Sequence, residues 1–355
     1  MDEFRIDSHK LMYHVDRVNQ WLRGEDVYPI YVEVATAGGC NHRCTFCALD
    51  YMEYKANLLD TELLKTRLTE MGRLGVKSIM YAGEGEPLLH KNVGEIINHT
   101  KGSGMDVAIT TNGVCMTEKL AKEALASVTW VKVSINAGTA KTYSEIHGTK
   151  PEDFTKVIEN IRTAIKLREE NDLKTTIGIQ LILLEENAGE VITLAKLAKD
   201  IGADYLVVKP YSQHLMSRTT KHGGTNYSDY YHLSEELKAL SGEKFQAIFR
   251  LNTMKKLESD KRRYDRCRAL PFWAYIDAEG GVWGCSAFLG DDRFRYGNIY
   301  EKSFEEIWAG EERKKLLAYV ADGLDISECR RNCRMDEVNR YLWELQNPTD
   351  HVNFI

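Results

Sequence analysis

Cys40, Cys44 and Cys47 stand in the spacing C-x3-C-x2-C at the end of an apolar run, Ile30-Tyr-Val-Glu-Val-Ala-Thr-Ala-Gly-Gly. Three thiolates can hold three irons of a [4Fe-4S] cluster, which usually takes four protein ligands, and so leave one iron open for chemistry. The alternative is a structural zinc knuckle. Zinc sites, however, usually combine two C-x2-C-like pairs into four ligands, and the fourth is missing locally. A second set, Cys267, Cys285, Cys329 and Cys333, offers four thiols, enough for one fully ligated cluster or one four-cysteine zinc. Cys115 belongs to neither set.

The elements that must position these residues read as alternating strands and helices. Strand-like runs lie at 30–36, 78–82, 105–111, 129–135, 175–183 and 204–209. Helical periodicity fills the gaps, as in Leu64, Leu68 and Met71, in Val157, Ile161, Ala164 and Ile165, and in Val191, Leu194, Ala195 and Ala198. Repeated βα units imply a parallel sheet with helices outside, and in barrels of this kind chemistry gathers at the C-terminal ends of strands. Cys40–Cys47 sits at one such end, and the turn Gly83-Glu84-Gly85-Glu86-Pro87 at the next. Near the C-terminus, two β-prone runs flank Glu279-Gly280-Gly281 and predict a hairpin. Ser303 with Glu306 predicts a capping box that opens a helix.

The 355 residues are 43% hydrophobic and 28% charged, which gives a globular chain with ample core. There is no apolar signal region and no membrane-length apolar run, so a cytoplasmic location is expected, with no membrane partner. Eight cysteines without a secretion signal favour metal ligation over disulfides. A formal charge of −6 gives no support to nucleic-acid binding, and Lys255-Lys256 and Lys261-Arg262-Arg263 read as solvated faces.

These motifs resemble the radical S-adenosylmethionine (SAM) superfamily. The resemblance rests on the three-cysteine loop and on Gly83–Pro87, which is similar to the family's Gly-Gly-Glu-Pro element that binds the SAM ammonium; this chain has Gly-Glu-Gly-Glu-Pro. It implies a partial (β/α)6 TIM-like barrel, a SAM-binding [4Fe-4S] cluster on Cys40, Cys44 and Cys47, and SAM on the open iron. It further implies SAM contacts from Gly83, Glu84, Gly85, Glu86 and Pro87, from Asn112 after the third strand, from Ser134 and Asn136 after the fourth, and from Phe46 near the adenine. For the strand-end residues, ordinary turn and cap roles are the alternative. From residue 267 onward the C-x12-G-x4-C element, Gly297-Asn-Ile and the late cysteine pair resemble the SPASM/Twitch extension. Four cysteines rather than seven match the Twitch form, with one auxiliary [4Fe-4S] cluster in an electron-transfer or structural role. In such enzymes a reduced flavodoxin or ferredoxin supplies the electron.

The expected organisation is an N-terminal extension over 1–29, the barrel over 30–215, a helical linker over 216–260, a small Twitch hairpin and helix domain over 261–334, and a C-terminal helix with a docked tail over 335–355. The expected reaction is hydrogen-atom abstraction from a small polar substrate, a carbohydrate or cyclitol that is dehydrogenated while the auxiliary cluster accepts an electron. Lys209, Glu33 and His214 are the candidate bases for the hydroxyl proton, with a structural ion pair as the alternative for Glu33 and Lys209. Cys115 is a candidate hydrogen-atom donor, as some epimerases of the superfamily use, or a packed small hydrophobe. Epimerisation, dehydration and maturation of a ribosomal peptide stay open. The short segment before the first strand disfavours a leader-binding domain of roughly 80 residues. An iron-sulfur electron-transfer or regulatory protein would not need the SAM element.

Overall fold

The computed structural model describes residues 4–259 and 261–354. Ten strands form one sheet: β1 Tyr31–Val34, β2 Ser78–Tyr81, β3 Asp106–Thr111, β4 Trp130–Ser134, β5 Thr176–Leu183, β6 Tyr205–Pro210, β7 Gln246–Phe249, β8 Trp273–Ile276, β9 Gly281–Trp283 and β10 Arg295–Asn298. Their spatial order is β10-β9-β8-β1-β2-β3-β4-β5-β6-β7. β1 to β7 pair in parallel in chain order. No pairing joins the two outer strands among the described residues, so the barrel is open.

The helices that precede and cover the first strands are α1 Val15–Leu22, α2 Thr61–Arg73, α3 Val93–Gly102, α4 Glu118–Ala124, α5 Ala140–His147 and α6 Pro151–Glu170. After them come α7 Val191–Asp200, α8 Leu233–Leu240, α9 Leu251–Lys256, α10 Phe304–Ala309, α11 Glu311–Asp322 and α12 Asp336–Gln346. Parity along the strands decides which side chains meet these helices. On β5, Ile177, Ile179, Leu181 and Leu183 are buried in the main core with Val157, Ile161 and Ala164 of α6 and Leu194, Ala195 and Ala198 of α7. Each large aliphatic side chain fully buried there contributes roughly 1.5–3 kcal/mol. The opposite parity faces the barrel interior, where Met80, Ala82 and Ala108 pack with Tyr31 and Trp130. Phe4 and Ile6 pack on Tyr205, Val207 and Ile248 and close the far end of that interior.

Three expectations change. The stretch 216–260 is not simply a helical linker, because Gln246–Phe249 forms β7 and extends the parallel sheet beyond β6. The hairpin β8–β9 has the predicted turn, with Gly280 at φ +82°, but it does not stand apart: β8 pairs in parallel with β1 and continues the barrel sheet. The tail does not dock. Val352 is 57% and Phe354 81% exposed, and Ile355 lies outside the described residues. The predicted capping box is present, with Ser303 accepting from the Glu306 amide.

Candidate active site and auxiliary cluster site

The loop after β1 brings Cys40, Cys44 and Cys47 close enough that each thiolate would raise the pKa of a neighbour. Burial pushes all three up, Cys40 to about 11 and Cys44 well above the usual thiol value. Thiols in this state ionise together only against a cation, as a cluster's irons provide. The Cys47 amide donates to the Cys44 carbonyl at 3.1 Å, and the Tyr54 hydroxyl bonds the Cys47 sulfur. Tyr54 and Glu53 hold left-handed backbone, φ +52° and +68°, at a cost of about 1–2 kcal/mol per residue. That bend turns the Tyr54 ring under the Arg43 guanidinium, 4.2 Å away.

Gly83–Pro87 lies directly on the cysteine loop. The Glu86 amide donates to the Gly39 carbonyl at 2.9 Å. A Cβ on Gly85 would strike the Ala37 carbonyl and come within 2.5 Å of the Gly39 carbonyl oxygen. Both carboxylates of the turn accept hydrogen bonds from the protein. Glu84 accepts from the Tyr275 hydroxyl and, at 2.8 Å, from the Ala278 amide; Glu86 accepts from Thr111 Oγ1 at 2.6 Å and the Asn112 amide at 2.7 Å.

Asn112 reaches the cysteine loop, its Nδ2 2.7 Å from Asn41 Oδ1 and 4.0 Å from Cys40 Sγ. Asn136 is fully buried: its Oδ1 accepts from the Ile182 amide at 2.6 Å, while its amide and Nδ2 lie 3.3 and 3.2 Å from His147 Nε2. The other ring nitrogen of His147 is 3.5 Å from Cys44 Sγ. Asn136 is therefore tied to both His147 and the Ile182 backbone. His147 escaped the sequence reading, since a histidine in the last turn of a helix is ordinary dipole chemistry. His42 joins Cys44 and His147 within 4.8 Å and belongs to the same loop site. Phe46 packs with Ile146, Leu184 and Tyr211.

Of the candidate bases, two are engaged. Glu33 pairs with Arg334 and accepts from Tyr31 at 3.1 Å, so its ion-pair partner is not Lys209. His214 lies 3.2 Å from the Ser286 carbonyl through Nε2, accepts from the Met216 amide at 3.1 Å through Nδ1, and stacks on Tyr51. Cys115 is half-buried against the main core near Lys156 and Asp153 of α6. Lys209 is different. It points into the interior, and desolvation together with Lys132, Arg250 and Arg330 drives its pKa well below the usual lysine value. Lys132 was also missed, although its place between Val131 and Val133 on β4 gives it inward parity.

Cys267, Cys285, Cys329 and Cys333 line one cavity together with Arg262, Phe288, Arg330 and Asn339. Cys267, Cys329 and Cys333 all lie close enough to Cys285 to raise its pKa, and four thiols gathered in this way fit a fully ligated cluster. Asn339 Nδ2 lies 3.5 Å from Cys267 Sγ, and the Met335 amide donates to Cys333 Sγ at 3.4 Å. Arg262, expected on a solvated face, instead holds the Cys329 carbonyl at 2.8 Å. Arg330 leaves this cavity toward the barrel mouth, where its Nε donates to Ser212 Oγ at 2.8 Å.

The open parallel barrel with a three-cysteine loop beside a glycine-rich turn, extended by a four-cysteine hairpin region, defines a radical SAM enzyme. Residues 34–198 match the radical SAM superfamily and residues 267–334 the SPASM iron-sulfur cluster-binding domain. The chain is thus a radical SAM protein with a C-terminal SPASM/Twitch domain, and with these domains come a SAM-binding [4Fe-4S] cluster, SAM and auxiliary-cluster binding. It is 24% identical over 301 residues to the tungsten-containing aldehyde ferredoxin oxidoreductase cofactor-modifying protein of Pyrococcus furiosus, covering 79% of this chain and 81% of that one. A GTP 3′,8-cyclase of Chlorobaculum tepidum is 26% identical over 223 residues, 60% of this chain and 64% of the cyclase. Among solved structures, Streptococcus suis SuiB bound to S-adenosylmethionine superposes with a TM-score of 0.65 at 19% identity, covering 85% of this chain and 70% of SuiB. anSMEcpe with bound AdoMet gives 0.59 at 17% identity, covering 90% and 95%. Among the described residues no helix is long and apolar enough to cross a membrane.

Proposed function

We propose that this enzyme oxidises a small polar substrate held in the barrel interior, removing a hydrogen atom from carbon and a proton from the adjoining hydroxyl. The observation that carries this reading is Arg330, one side chain that both lines the four-cysteine cavity and reaches the barrel mouth at Ser212, where its charge also bears on Lys209. Once in place, the two clusters and SAM supply hydrogen-atom abstraction by a 5′-deoxyadenosyl radical and an acceptor for the electron that an oxidation releases. The protein does the rest. Asn112 and the Gly83–Pro87 turn hold the cysteine loop, Phe4 and Ile6 exclude water from the closed end, and Lys209, whose charged form desolvation disfavours, takes the hydroxyl proton on Nζ. The downward direction of the shift moves a lysine amine toward that task.

The test is reductant economy. Cluster-loaded protein receives SAM, a limiting amount of dithionite, and a panel of sugars, cyclitols and their carboxylated or phosphorylated forms. An oxidation returns one electron for each hydrogen atom removed, so several 5′-deoxyadenosines form per electron supplied. One 5′-deoxyadenosine for every two electrons with the converting substrate would instead identify a redox-neutral epimerisation or dehydration, because forming 5′-deoxyadenosine and methionine from SAM takes two electrons overall and such a reaction draws neither from the substrate.

A further inference from the structure

Four polar side chains on three adjacent strands face the barrel interior without a hydrogen-bond partner among the described residues: Lys132 and Ser134 on β4, Gln180 on β5 and Lys209 on β6. Their common face follows from register. Ser134 pairs with Gln180, Lys132 with Gly178, and Ile182 with Lys209, so all four share the parity of Trp130, which lies on the interior face. The Lys132 ammonium sits over the Trp130 ring, 5.3 Å from its centre, deep in the barrel. The carboxylates nearest in kind are already engaged, Glu33 by Arg334 and Asp7 by Arg250 at 3.1 Å.

A desolvated ammonium without a counterion is expensive, and uncharged hydrogen-bonding groups beside it add donors rather than a negative charge. A wall of this kind is complementary to an anionic group carried in by a ligand. We infer that the substrate carries a carboxylate or a phosphate, and that this group seats on Lys132 with Gln180 as a further hydrogen-bond partner. The inference rests on the reading of the interior as the substrate chamber. It leaves Lys209 to its separate task at the mouth of the chamber: an anion on Lys132 cancels one of the charges that lower the Lys209 pKa, while desolvation and the two arginines still do so. The burial of Lys132 beside Arg250 acts in the same direction, holding its amine at about 8 until an anion arrives.

The experiment measures binding of inorganic phosphate and, separately, of acetate to cluster-loaded protein with SAM, by calorimetric titration at constant ionic strength set with chloride. The expected result is saturable binding of one of the two, with a Kd raised about tenfold or more in Lys132→Met and retained in Lys132→Arg. Preference for phosphate or for acetate identifies the head group. Binding that is absent for both anions, or unchanged in Lys132→Met, overturns the inference, and Lys132→Arg guards against a loss that merely reflects a damaged barrel. 5′-Deoxyadenosine formation in the same wild-type preparation reports separately on the radical chemistry, so its failure would be distinct from a failure to bind anions.

Discussion

His147 Nδ1 lies 3.5 Å from the sulfur of Cys44, and the direction of the proton between them is fixed from the far side of the ring. Nε2 faces two donors, the Asn136 amide and the Asn136 Nδ2 group, so it must accept and the proton must sit on Nδ1. An N–H aimed at a cluster sulfur stabilises the reduced, more negative state. A net hydrogen bond of about 1 kcal/mol corresponds to roughly 40 mV for a one-electron couple. His147→Phe is therefore expected to lower the midpoint potential of the SAM-binding cluster by some tens of millivolts in an electron paramagnetic resonance titration, with the auxiliary cluster unmoved. An unshifted potential would remove His147 from this role.

Gly85→Ala tests the contact between the two loops. The new methyl would press on backbone carbonyls at Ala37 and Gly39 that no rotamer change can relieve. Iron content after anaerobic reconstitution should fall from about eight to about four per chain, the remainder being the auxiliary set. Gly102→Ala, at the end of α3 with open space around it, should keep the full iron content and stabilise by about 0.4–1 kcal/mol in urea unfolding.

Replacing Cys333 with Ala makes the converse cut. About four irons should remain, now on the Cys40, Cys44 and Cys47 loop. Addition of SAM should still perturb the spectrum of that cluster, while oxidation of substrate stops. Full turnover by this variant would leave the auxiliary cluster with no part in electron transfer.

Glu84 makes stability depend on pH. Burial raises its carboxyl from 4.5 to about 7, against the hydrogen bonds from Tyr275 and Ala278. The folded state thus binds this proton more tightly than the unfolded chain does. Its stabilising effect is complete below the unfolded pKa and is lost as pH rises through about 7. Between pH 5 and 8 the wild-type unfolding free energy should therefore fall relative to Glu84→Gln by an amount on the order of 3 kcal/mol. Parallel pH profiles of the two proteins in urea unfolding would show that Glu84 does not titrate in this way.

The six barrel strands were legible because each buries an apolar face between helical repeats, and Ile177, Ile179, Leu181 and Leu183 show that periodicity plainly. β7 was not, since Gln246–Phe249 is four residues long beside a helix, too short for alternation to stand out from chance. The cysteine sets were legible from spacing. What surrounds them was not, because contacts such as Glu33 to Arg334, Glu84 to Tyr275 and His147 to Cys44 join residues far apart in the chain. The tip of the tail misled for a simple reason. Its apolar residues Val352 and Phe354 remain in solvent, where single exposed hydrophobic side chains are tolerated.

The pairing of β8 with β1, from Tyr31 opposite Trp273 to Val34 opposite Ile276, bears on how an electron would cross the molecule. Cys40 follows β1 and Cys285 follows β9, which pairs with β8, so one continuous sheet carries cysteines of both sets. Tunnelling rates fall steeply with distance, and the strands that lead to Cys40 and Cys285 are joined by interstrand hydrogen bonds rather than by a hinge. In the oxidation proposed above, substrate would enter and leave the chamber without parting the strands that carry the electron's two stations.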